Sequence, residues 1–208
     1  SKMFALIKRE IQDHLVYFIA ALASSVVLVA LLSTAAFHFE RPVWDLFTGL
    51  TIPLIVILVM GFSAMGVTQM YLDRNRRISA FLSTLPVTRG RILTAKIVTG
   101  VLAILIVLLP VTIAAVALRR LLLPSIPVFA NLITDFVTTT FLMLFACYCL
   151  GLLTGWTTSK IAPTFGALGL NLILFSLIVV KGFGLEIKIL LVLVIGACLI
   201  RTWHKFVS

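Results

Sequence analysis

The chain has 208 residues, 62% of them hydrophobic and 12% charged, with a mean hydropathy of +1.21. Soluble domains carry about 25% charged residues, so a separate water-soluble domain is excluded and a single all-α membrane bundle over residues 1–208 is predicted. The net charge of +10 does not point to nucleic acid, because the basic residues stand at the ends of apolar blocks rather than along one face.

In chain order, the first element is short. Phe4, Ile7, Ile11 and Leu15 recur at intervals of three and four, while Lys8, Gln12 and Asp13 occupy other faces. This spacing predicts an amphipathic helix over 2–14 lying on the membrane surface; a simple extension of the first span is the alternative. Crossing roughly 30 Å of hydrocarbon takes about 20 apolar residues. Six runs qualify: 15–37, 46–72, 97–118, 129–156, 161–180 and 184–203. The first is too long for the h-region of a cleavable signal peptide and is read as a retained helix. The last carries Glu186 and Lys188 in its first turn and Arg201 in its last, so Lys188 is expected to snorkel to the interface.

Six spans put both termini and the second and fourth loops on one side. That side holds Lys2, Lys8, Arg9, Arg74, Arg76, Arg77, Arg89, Arg91, Lys96, Lys160, Arg201 and Lys205, which is twelve of the seventeen basic residues. Arg41, Arg119, Arg120, Lys181 and Lys188 fall on the other side. The bias places the termini in the cytoplasm. Tyr71, Trp156, Trp203 and Trp44 fall at span ends, as an aromatic belt would.

The segment from Asp73 to Lys96 reads DRNRRISAFLSTLPVTRGRILTAK. Ile78, Phe81, Leu82 and Leu85 form a stripe at helical spacing, Pro86 ends that short helix, and Thr88 can cap the next. A short amphipathic helix flanked by Arg76, Arg77 and Arg89 can lie on anionic lipid or dock into a groove on another protein.

The run Phe81-Leu82-Ser83-Thr84-Leu85-Pro86-Val87-Thr88-Arg89, followed by Ile92 and Lys96, resembles the pattern L-L-x-[ST]-L-P-[VI]-[ST]-R-x-x-[IL]-x-x-K of exporter-class (type 2) ABC transporter permeases. The order of parts resembles that family too: a surface elbow helix, two spans, this loop, four more spans. The resemblance implies that the loop is a coupling helix docking on a separate ATPase subunit, with Arg76, Arg77, Ile78, Phe81, Leu82, Leu85, Pro86 and Arg89 at the contact. It also implies a second permease subunit, identical or related, and a prokaryotic inner membrane. Two positions depart from the family: Ala80 stands where an acidic residue is frequent, and Arg77 where a glycine or small residue is, so either an acidic partner groove or a less standard ATPase is expected.

No G-x-x-x-x-G-K-[ST] occurs, so ATP and Mg²⁺ belong to the partner and the chain itself is not expected to be an enzyme. His14, His38 and His204 are scattered near span ends, and H-E-x-x-H and G-x-S-x-G are absent, which argues against a metal, haem or hydrolase site.

Polar residues inside spans carry the remaining candidates. Asp135 follows Arg119 and Arg120 on the same side and reads as an ion pair or a substrate contact. Asn171 reads as a translocation-path residue or an interhelical hydrogen bond. Thr138, Thr139 and Thr140 can bond back to their own helix, and Pro110 should kink the third span. Gly151-x-x-x-Gly155, and Gly166 with Gly169, permit close helix approach within one subunit or across a dimer. Cys147, Cys149 and Cys198 lie in apolar blocks and read as packing thiols.

Two other functional classes stay open on this sequence. One is a non-transporting subunit that anchors a larger assembly. The other is an ATP-independent channel or secondary transporter, which would be expected to carry more intramembrane ionisable residues than Asp135.

Overall fold

The computed structural model describes residues 2–37, 41–75, 89–122, 128–155 and 162–207. Within them the chain forms seven helices: α1 (Lys2–Asp13), α2 (Leu15–Phe37), α3 (Arg41–Asn75), α4 (Arg89–Leu122), α5 (Val128–Gly155), α6 (Ala162–Lys181) and α7 (Leu185–Val207). Four stretches are long and apolar enough to cross a membrane: Leu15–Thr34, Gly49–Leu72, Gly90–Leu118 and Asn131–Gly155. Four such helices mark an integral membrane protein. The apolar stretch Gly166–Lys181 in α6 is shorter, and α7 is apolar between charges at its two ends.

The predicted runs and the observed helices agree in order. The differences lie at the ends: α3 and α4 extend well beyond the apolar runs, to 35 and 34 residues. Backbone hydrogen bonding continues past the point where side chains stop being apolar, because a helix end needs only capping or water, not grease. Pro53 and Pro110 both lie inside helices, where neighbouring helices and local adjustment absorb the lost bond.

The helices pack around α5. Met143, Leu144, Ala146, Cys147, Tyr148, Cys149, Leu150 and Leu152 on it are buried, and 56% of its spanning stretch is enclosed against 11% for α2. The closest crossing is α5 against α3. A Cβ on Gly66 would stand 2.5 Å from the Tyr148 carbonyl oxygen, one on Gly151 would stand 2.2 Å from that of Ser63, and one on Gly155 2.6 Å from that of Val67. The Gly151-x-x-x-Gly155 pattern is therefore spent on a contact inside the chain. A Cβ on Gly166 or Gly169 would meet nothing within 4 Å. The outward faces, with Val16 and Val26 on α2, Ile113 on α4 and Val180 on α6, are exposed and apolar, as lipid requires.

At the end of the bundle away from α1, Gly182 takes φ +75, a conformation cheap only for glycine. It ends α6 by donating its N–H to the Ile178 carbonyl at 2.8 Å and turns the chain into α7.

Candidate functional site

The first turns of α4 bury one face. Ile92, Leu93, Ala95, Lys96, Thr99 and Gly100 are all enclosed, at the i, i+3, i+4, i+7 spacing of a helix set into a bundle. One of them is a lysine. Lys96 is 1% exposed, and an enclosed ammonium needs hydrogen-bonding partners in place of water. Its Nζ donates to Glu10 Oε1 of α1 at 3.1 Å and to the Gln69 backbone carbonyl of α3 at 3.1 Å.

The α4 backbone at the same residue is held from the other side. Tyr148 of α5 donates its hydroxyl to the Lys96 carbonyl at 2.7 Å, and the same oxygen lies 2.5 Å from Gln69 Oε1. A hydroxyl owns one proton. Both contacts are made at once when the Gln69 amide is turned so that its NH₂ donates to the tyrosine oxygen, the two orientations being equivalent in shape. Gly100 makes room for the ring: a Cβ there would stand 2.4 Å from Tyr148 Cζ. The site thus joins four helices through residues 10, 69, 96 and 148.

Two flanking contacts extend it. Tyr17 on α2 shares a hydrogen bond with Thr68 on α3 at 2.7 Å, and Thr68 also donates to the Ala64 carbonyl within its own helix. Buried His14, at the α1–α2 junction, has its ring 6.1 Å from that of Tyr17. Near the start of α4, Gly90 lies under the Trp203 ring of α7, where a Cβ would come within 2.8 Å of it.

The network lies close to the end of α3 and the start of α4. Gln69 precedes the end of α3 at Asn75 by six residues, and Lys96 follows the start of α4 at Arg89 by seven. At 1.5 Å per residue each anchor is about 10 Å from its stem's end. Arg76, Arg77, Ile78, Phe81, Leu82, Leu85 and Pro86 lie outside the described residues, as does the expected cap at Thr88. Arg89 is the first residue of α4.

The other sequence candidates fall elsewhere. Asp135 on α5 accepts from Lys188 Nζ of α7 at 2.5 Å, a partner on a different helix from the arginines 119 and 120 that precede it. Lys188 reaches a carboxylate rather than simply snorkelling. Asn171 is fully buried, and neither of its amide atoms has a hydrogen-bond partner among the described residues; the same is true of the Thr139 hydroxyl. Asp135, Asn171 and the Lys96 network are not brought together. Among the described residues no group of three or more His, Cys, Asp and Glu side chains could hold a metal ion.

No family model, curated protein or solved structure matches this chain. The site is accordingly read from its own geometry.

Glu10, Gln69 and Tyr148 escape the sequence reading, and Lys96 enters it only as a topology charge and a motif position. A signal was present in Tyr148: a tyrosine within an apolar run must find a partner for its hydroxyl. The sequence alone could not say that Lys96 faces inward, since a lysine at a span end is equally at home in water.

Proposed function

We propose that this chain is the membrane-spanning permease subunit of an ATP-driven ABC exporter, with six spans of which α6 and α7 are the fifth and sixth, and with α1 as the elbow helix. The segment from Arg76 to Arg89 is the coupling element that receives motion from a separate ATPase carrying ATP and Mg²⁺, and a second permease subunit completes the path. The charge bias along the sequence puts this coupling side in the cytoplasm, as in a prokaryotic inner membrane. An amphipathic or lipid-like substrate fits the apolar spans.

The observation that carries the reading is the buried Lys96 network. A coupling element is useful only if a push on it moves whole helices rather than bending their ends. Here both stems of the segment are pinned by the Lys96 ammonium and the Tyr148 hydroxyl, and α1 is tied to the same point through Glu10. Packed and hydrogen-bonded elements move as bodies and switch between discrete arrangements, so a push on the segment would move α1, α3, α4 and α5 together.

The test is co-purification of an ATP-hydrolysing chain from native membranes in mild detergent, with a Phe81→Asp, Leu82→Asp variant alongside. An ATPase that accompanies the intact protein and is lost from the variant supports the reading. If none accompanies the intact protein under several gentle conditions, the permease reading gives way to a channel, or to a loop helix that lies on anionic lipid.

A further inference from the structure

Gly90 stands in the first turn of α4, one residue after Arg89. Glycine is among the poorest helix formers, and the first turn is where a helix has least support, because its leading N–H groups have no partner within the helix. The position is a local weakness unless its bareness is used. Trp203 uses it. A Cβ on Gly90 would stand 2.8 Å from Trp203 Cη2, 3.5 Å from Cζ3 and 3.8 Å from Cζ2, so the benzo edge of the indole lies against the bare Cα. A side chain at 90 would have to displace the ring.

The ring comes from a helix whose main packing is elsewhere. Ile187, Leu191, Ile195, Cys198 and Thr202 are buried at intervals of three and four, one stripe of α7. α7 packs chiefly along α5, and its contact with α4 is much smaller. Trp203 follows the last residue of that stripe, turned about 100° from it, and is 47% exposed. A tryptophan at a span end is at home in the interfacial belt, but a belt role asks nothing of residue 90. The glycine fitted beneath the ring does ask for this partner.

The contact also falls where the Lys96 network does not reach. Lys96 lies six residues further along α4, roughly 9 Å away, and an anchor at that depth leaves the first turn free to fray. At the level of Gly90 itself, Thr94 Oγ1 donates to the glycine carbonyl at 2.9 Å, and the Trp203 ring closes over the Cα. The first turn is held at its own level.

We propose that Trp203 is a positioning residue for the start of α4: seated on Gly90, it holds the first turn in place and joins α7 directly to the stem that follows the coupling segment. The use of this clamp in coupling rests on the permease reading; the clamp itself does not. Hydrogen exchange on the purified full chain tests it. The amides of Leu93, Thr94 and Ala95 bond to carbonyls of the first turn, and Trp203→Ala should speed their exchange by about fivefold or more. The amides of Ala103 and Ile104, beyond Lys96, should be unaffected. Trp203→Leu keeps apolar bulk without the ring and takes the place of the alanine variant should that one misfold. The second test is rescue. Alanine is the better helix former, so Gly90→Ala should raise the thermal unfolding midpoint by about 2–4 °C in a Trp203→Ala background, and should give none of that gain with the ring in place. A merely interfacial tryptophan would leave exchange at Leu93–Ala95 unchanged in both Trp203 variants, which would overturn the proposal. An equal gain from Gly90→Ala in both backgrounds would overturn it as well. Neither measurement involves an ATPase: loss of the clamp leaves the permease reading standing, and absence of an ATPase leaves the clamp standing.

Discussion

The two ends of the bundle use the same chemistry under opposite conditions. On the α1 side a lysine–glutamate pair is enclosed, with side-chain exposures of 1% and 14%, and its neighbours are a tyrosine hydroxyl and an amide. At the far end Lys181–Glu186 is open, at 58% and 82%, and Lys188–Asp135 is intermediate, at 24% and 50%. Water does most of the work for the exposed pairs, so their loss changes little. The enclosed lysine has only its protein partners, so each of them is structurally binding. The far end can rearrange at small cost while the α1 end resists it.

The contrast can be broken most severely at its base. Gly151→Leu drives a side chain into the Ser63 carbonyl of α3 and should destabilise the protein by about 3 kcal/mol or more, seen as a large fall in the thermal unfolding midpoint in detergent. Lys96→Met should come next, at about 3 kcal/mol, because it leaves the Glu10 carboxylate and the Gln69 carbonyl without their ammonium. Adding Glu10→Gln to Lys96→Met should recover part of that loss, since the stranded charge goes with it; no recovery would mean that the lysine stem, not the ion pair, carries the effect. Tyr148→Phe keeps the ring and removes the hydroxyl from two partners, costing about 1–2 kcal/mol. At the far end Lys181→Ala should lie within about 0.5 kcal/mol of the parent. A Lys181→Ala effect matching that of Lys96→Met would erase the distinction between the two ends.

Much of the fold was legible because its signals are local. The order of the apolar runs and the amphipathic spacing from Phe4 to Leu15 need only near neighbours in sequence. The site was less legible because its signals are relational. Lys96 could be read as a span-end charge, but its burial depends on Glu10, 86 residues earlier, and on Tyr148, 52 residues later. Lys188 posed the same difficulty in reverse: expected at the lipid interface, it is turned toward Asp135 by a helix packing that no local pattern encodes. Gly151 and Gly155 were recognisable as close-approach residues, while the identity of the approaching helix was not.

The sequence distances in the Lys96 network also set a schedule for biosynthesis. Residue 10 leaves the ribosome 138 residues before residue 148, an interval of roughly 7–30 s at ordinary translation rates of about 5–20 residues per second. For its last 52 residues, roughly 3–10 s at those rates, Lys96 can meet Glu10 but not the hydroxyl that fixes its own backbone. Newly inserted α4 therefore has reason to keep that lysine in water, and α1 to wait at the surface, until α5 arrives; closing the network is the late dehydration that turns separately inserted helices into one body.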